Sequence, residues 1–152
     1  MIIQGALSRV NGAISTKEFL GLLAGQVPDG HCFIVQPPPG IAMTAAMDWR
    51  IVVEEMTTIT ELATAIWNGY TGHVLPLQKE RGTSSAGLFV QIKNAKGEFD
   101  QFLIGRDITD GEDLVYRMEE TARILFAENK VEAFRREMED TVKSGYWETI
   151  DL

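Results

Sequence analysis

The sequence predicts an α+β fold: a small, mainly antiparallel sheet covered by two short helices, with a long C-terminal helix beside it. Three observations carry that prediction. Capping-box patterns precede apolar stretches of helical spacing at three places along the chain. The segment 88–104 alternates apolar and polar residues on either side of a turn, as a hairpin does. The segment 112–144 keeps helical spacing of its apolar residues over most of its length. At 152 residues the chain has the size of one domain, and 1–152 contains no low-complexity tract, internal repeat or linker. Such a chain buries enough surface to fold without disulfides, and the single Cys32 can form none within it.

The first helix is expected from Ser15-Thr16-Lys17-Glu18. A serine hydroxyl there accepts an otherwise unpaired N–H while the glutamate three residues on reaches back. Phe19, Leu20, Leu22 and Leu23 supply its apolar side, and Gly25 is placed to close it in the left-handed conformation. His31 to Gln36 reads as a strand, stopped by Pro37-Pro38-Pro39, which donate no ladder hydrogen bonds. A second strand is expected over 49–55, through Ile51, Val52 and Val53. A second capping box, Thr58-Ile59-Thr60-Glu61, opens a helix with the stripe Ile59, Leu62, Ala63, Ile66, Trp67 and Tyr70, which Asn68-Gly69 should end. His73 to Leu77 reads as a short edge strand containing Pro76, and Lys79 to Ala86 as a surface loop.

The hairpin pairs 88–93 with 98–104 across Asn94-Ala95-Lys96-Gly97, where Gly97 tolerates positive φ. Leu88, Val90 and Ile92 then share the core side. A third capping box, Thr109-Asp110-Gly111-Glu112, starts the longest element, 112–144, with Gly145 as its stop and 145–152 as a C-terminal tail. Met118, Ala122 and Leu125 form one apolar seam. Ile124, Ala127, Val131, Phe134, Met138 and Val142 form a second, rotated around the axis near Asn129. Two readings follow. The helix breaks at Asn129 and both halves pack in cis, or it continues for about 50 Å and one half meets a partner or a second copy.

Charge narrows the function classes. Fourteen Lys and Arg against twenty-two Asp and Glu leave a net charge of −8. Binding to nucleic acid or to an anionic membrane draws on a concentrated positive face, and the few clustered cations here have acids beside them. Sequence-specific nucleic-acid binding and membrane attachment are therefore not expected. No apolar run approaches the ~20 residues of a membrane span, and Met1 to Gly5 lacks a basic leader, so a cytoplasmic location is expected.

Four groups of residues are candidates for chemistry. Lys79, Arg81, Gly82, Ser84 and Ser85 combine two cations, hydroxyls and a glycine, a set suited to an anionic small ligand. Asp107, Asp110, Glu112 and Asp113 place four carboxylates within seven residues; a hard divalent cation would accept such oxygens, but so would the positive end of a helix. Cys32 beside His31 suggests a nucleophile and base, yet adjacent strand residues point to opposite faces. Glu137, Glu139 and Asp140 on the last helix, with Tyr146, Trp147, Ile150 and Leu152 in the tail, offer acids and aromatics to a protein partner. For the tail the favoured expectation is that Trp147 and Ile150 fold back on the core, because large apolar residues rarely stay exposed. No repeated Cys/His spacing and no glycine-rich strand-to-helix turn is present, so no cofactor and no metal is expected.

The leading expectation is a non-enzymatic acidic module acting by protein–protein contact: an adaptor, an inhibitor, or an accessory factor of a phage or mobile element. Its partner would be a protein, one with a basic surface suiting the charge, and a homo-oligomer could form through the long C-terminal helix. The alternatives are a binder of small anionic ligands using 79–85 and a metal-dependent enzyme using the 107–113 carboxylates.

Overall fold

The computed structural model describes residues 1–8, 14–35, 47–81, 87–127 and 129–152. A six-stranded antiparallel sheet runs through its centre. The strands are β1 (Ile2–Ser8), β2 (Cys32–Val35), β3 (Trp49–Val52), β4 (Gly87–Lys93), β5 (Phe99–Leu103) and β6 (Trp147–Thr149). Their order across the sheet is β5-β4-β1-β3-β2-β6. Helices α1 (Thr16–Gly21), α2 (Met56–His73), α3 (Leu75–Arg81), α4 (Gly111–Phe126) and α5 (Lys130–Lys143) complete the α+β architecture.

The two faces of the sheet are covered differently. Leu88, Val90 and Ile92 of β4, Ile3 and Leu7 of β1, Trp49 and Ile51 of β3 and Cys32 of β2 all enter the main core. There they meet Phe19 and Leu20 of α1, Ile59, Leu62 and Ile66 of α2, and Leu114 and Met118 of α4. The period of two sends Ile2, Phe33 and Val52 to the opposite face, where Phe134 and Met138 of α5 pack on them. The result is three layers, with α1, α2 and α4 on one side and α5 on the other.

No strong local signal marks β1 as a strand, yet it is at the centre of the sheet, pairing Ile3 with Ile51 on one side and with Ile92 on the other. Its Ile3, Gly5 and Leu7 alternate with Ile2 and Gln4, a two-faced pattern too short and too interrupted by glycine to stand out.

Several expected elements take another form. The segment 73–77 is not a strand: α2 runs on to His73 and α3 begins at Leu75, with Pro76 in the first turn, where the missing N–H costs nothing. Lys79 and Arg81, expected in a loop, belong to α3. Asn68-Gly69 does not end α2. Gly69 is buried within it, and a Cβ there would sit 2.9 Å from Phe19 Cε2, so the glycine admits α1 against α2. The second capping box does not cap. The helix starts at Met56 after Glu55, which makes no side-chain cap, and the Thr60 hydroxyl donates instead to Glu119 on α4, 2.7 Å away. Gly25 lies in a short 3₁₀ turn, Ala24–Gln26, after α1 has ended, and it is not among the positive-φ glycines. The third cap is shifted by one residue, with Asp110 accepting from the Asp113 N–H at 2.7 Å.

The hairpin forms as expected, and so does the serine half of the first capping box. Ser15 Oγ accepts from the Glu18 N–H at 3.1 Å. The Asn94 N–H donates to Glu98 O at 2.8 Å, and Gly97 has φ +83°. Of the two readings at Asn129, the break is the observed one: Asn129 Oδ1 accepts from the Glu132 N–H at 3.2 Å and caps α5. The sixteen residues of α4 and fourteen of α5 give lengths of about 24 and 21 Å, both within the span of one domain. A continuous helix of 50 Å, and with it the length mismatch that called for a second copy, does not arise. The second expected seam is divided by the same break. Phe134 and Met138 pack on the sheet, while Ile124, Val131 and Val142 are each about 60% exposed.

A groove between α2 and α4

Helices α2 and α4 pack side by side because each carries an apolar stripe facing the sheet. Ile59, Leu62, Ala63, Ile66 and Tyr70 come from one, and Leu114, Met118 and Ala122 from the other. Above that seam their flanks enclose a groove of about 510 Å³. Trp67 and Thr64 of α2 form one wall, Val115 and Tyr116 of α4 the other, and Glu112 and Glu119 stand on its rim. Thr60 spans it at one end through its hydrogen bond to Glu119 Oε1. At the other end Gly111 opens α4, and a Cβ there would lie 2.8 Å from Trp67 Cδ1, so the indole rests on the glycine backbone. Trp67 also packs on Tyr70, ring centroids 5.4 Å apart, which limits its rotation from behind.

Tyr116, which lines the groove together with Trp67, is 62% exposed. The charges beside it are not balanced within the groove. Asp113 pairs with Arg117 at 3.1 Å, and Glu120 pairs with Arg123. Among the described residues no Lys or Arg pairs with Glu112 or Glu119.

On the opposite face of the sheet a polar cluster lies beneath α5. The Arg50 guanidinium donates to Gln4 Oε1 at 2.8 and 3.1 Å and to Thr141 Oγ1 at 3.0 Å, and it lies 4.9 Å from the centre of the Trp147 ring. Gln4 in turn donates to Gln91 Oε1 at 2.7 Å. Burial lowers the Arg50 pKa, and the Glu137 carboxylate opposes the shift. Glu137 also lies 3.4 Å from the Met1 ammonium, whose pKa burial likewise lowers. These contacts tie α5 and β6 to the sheet from one central side chain.

The predicted site residues fall as follows. Lys79 is exposed on α3, Arg81 ends that helix, and Gly82, Ser84 and Ser85 lie outside the described residues, as do the three prolines at 37–39. The four carboxylates near 107–113 do not converge. Asp107 Oδ2 accepts from the Leu103 N–H at 2.7 Å, Asp110 caps α4, Asp113 holds Arg117, and Glu112 faces the groove. Among the described residues no three His, Cys, Asp or Glu side chains come close enough to share a metal ion.

His31 and Cys32 take opposite faces. The imidazole packs on Phe134, centroids 5.0 Å apart, while Cys32 is in the main core, where burial pushes its thiol up to about 12. It is therefore a protonated thiol at neutral pH, without nucleophilic character.

The acids and the tail divide. Glu137 faces inward, Glu139 pairs with Arg135 at 2.6 Å, and Asp140 is exposed. The tail is not a free peptide. Trp147 begins β6 under Arg50, Tyr146 packs edge-on against it at 5.7 Å, and Ile150 packs on the main core. Glu148, Thr149, Asp151 and Leu152 stay exposed, Leu152 at 39%.

No local pattern in the sequence marks the groove as a whole. Trp67 shares the spacing of the core stripe, but it lies on the flank of that stripe and is half-buried. Tyr116, an aromatic among charged residues on an amphipathic helix, was the available signal. No family model, curated protein or solved structure matches this chain. Among the described residues no helix is long and apolar enough to cross a membrane.

Proposed function

We propose that this chain is a non-enzymatic, acidic protein-binding module whose contact surface is the groove between α2 and α4. The observation that supports it is the coincidence, in one concavity, of an exposed tyrosine, a half-buried tryptophan and carboxylates that no cation among the described residues pairs. Aromatic side chains in a concavity with a polar rim are the usual composition of binding hot spots. The wall is built on two packed helices, so little ordering entropy is lost on binding.

The tail contributes less to this reading than the helices, because Trp147 and Ile150 are already used within the chain. The anionic-ligand alternative gains nothing from the groove, whose charges are negative. The metal-dependent alternative gains nothing from the 107–113 carboxylates, of which Asp107, Asp110 and Asp113 serve separate local contacts and Glu112 faces the groove.

The test is affinity capture with three baits: the wild type, Tyr116→Ala, and Val142→Ala as an exposed apolar control away from the groove. A partner retained by the wild type and by Val142→Ala but lost with Tyr116→Ala is expected. A partner held equally by all three baits refutes the groove as the contact surface.

A further inference from the structure

We infer that the groove selects a cationic anchor: a lysine or arginine side chain presented by an apolar, net-basic segment of a partner protein. This rests on the groove being the contact surface, and it adds the chemistry of what enters. Glu112 and Glu119 stand on the rim without a cation of their own among the described residues, while neighbouring acids on α4 are paired. Trp67 and Tyr116 add aromatic faces, which attract cations through the ring quadrupole. Lysine and arginine combine a methylene stem with a charged head. Val115 and the two rings suit the stem, and the carboxylates suit the head.

Other occupants fit less well. A neutral apolar segment would cover both carboxylates without compensating them, and desolvating an unpaired charge is costly. An acidic segment meets the rim and a net charge of −8. A second copy docked groove to groove would bring the same two carboxylates against themselves.

The experiment uses a random-sequence peptide display library as the probe, selected on the wild type and depleted on Tyr116→Ala and, separately, on Trp67→Ala. Tyr116 is largely exposed, so its variant keeps the fold even where Trp67→Ala does not. Groove-dependent clones enriched in Lys or Arg beside apolar residues are expected. A synthetic copy of a recovered peptide should then bind Glu112→Gln and Glu119→Gln about two- to fivefold more weakly, with a smaller salt dependence. Groove-dependent clones without cations, or with affinity unchanged in both glutamine variants, overturn the cationic anchor and leave the groove reading standing. The absence of any Tyr116-dependent clone overturns both. A wild type that sediments as a dimer while Tyr116→Ala sediments as a monomer also overturns both, by making the groove a self-interface.

Discussion

Gly5→Ala tests the packing at the centre of the sheet. Gly5 sits on the central strand β1, opposite Trp49 on β3 and Val90 on β4. A Cβ built there would overlap the Trp49 ring at Cζ2 and lie 2.7 Å from the Phe89 carbonyl oxygen. Neither neighbour can easily give way. The oxygen belongs to the β4 backbone, and the Trp49 ring is fully buried with Phe19 packed at 6.3 Å. Overpacking of this kind costs about 1–3 kcal/mol, and a backbone contact places it toward the upper end. Replacing glycine in a strand returns about 0.5–1 kcal/mol of chain entropy. The net loss is about 2 kcal/mol, or about 4–8 °C in Tm for a domain of this size.

Thermal unfolding followed by circular dichroism, with a urea titration to check that m is unchanged, measures it. Gly21→Ala is the control of opposite sign. Gly21 ends α1 with open space around its Cβ position, so alanine there should be neutral or stabilising. A Gly5→Ala protein as stable as the wild type, with unchanged tryptophan emission, would refute the close approach of β1 to Trp49.

Three further outcomes are expected. Cys32 should resist alkylation at neutral pH in the folded protein and react once unfolded in urea. Its folded pKa is raised from 9.0 to about 12 by burial, so the neutral thiol contributes stability that is full below pH 9 and is lost as pH rises toward 12. The alkaline fall in Tm should therefore be shallower in Cys32→Ala than in the wild type, whatever the starting stability of the variant. Asn129→Ala removes the cap of α5 and should cost about 1 kcal/mol, read as a drop of about 2–4 °C in Tm; no change would mean that the cap hydrogen bond is not formed in solution. Gly111→Ala should push the Trp67 ring outward while leaving the helix intact. A shift in tryptophan emission with Tm changed by less than about 3 °C is expected, and an unchanged spectrum would contradict the packing of the indole on α4.

Local signals in the chain settled the elements whose hydrogen bonds and turns close within a few residues. The hairpin across Asn94–Gly97 follows from alternation and one positive-φ glycine. The cap at Ser15 and the core stripes of α2 and α4 follow from short-range spacing in the same way. Elements whose form depends on distant residues were not settled there. β1 is a central strand because β3 and β4 flank it, and β6 exists because β2 offers an edge and Arg50 offers a seat for Trp147.

Gly69 reads locally as a helix stop, but it is a contact point for Phe19 because α1 packs there. Asp107 and Asp110 read locally as helix-start acids or as weak ligand candidates; the first satisfies an N–H of β5 and the second an N–H of α4. The sequence by itself determined the α+β class, the acidic charge and the periods of the main helices, since each of these is a sum over near neighbours. Only the tertiary structure decided which strand lies at the centre and which aromatic side chains line an open groove. Both depend on which apolar faces remain after the others have been buried, and that is a property of the packed chain as a whole.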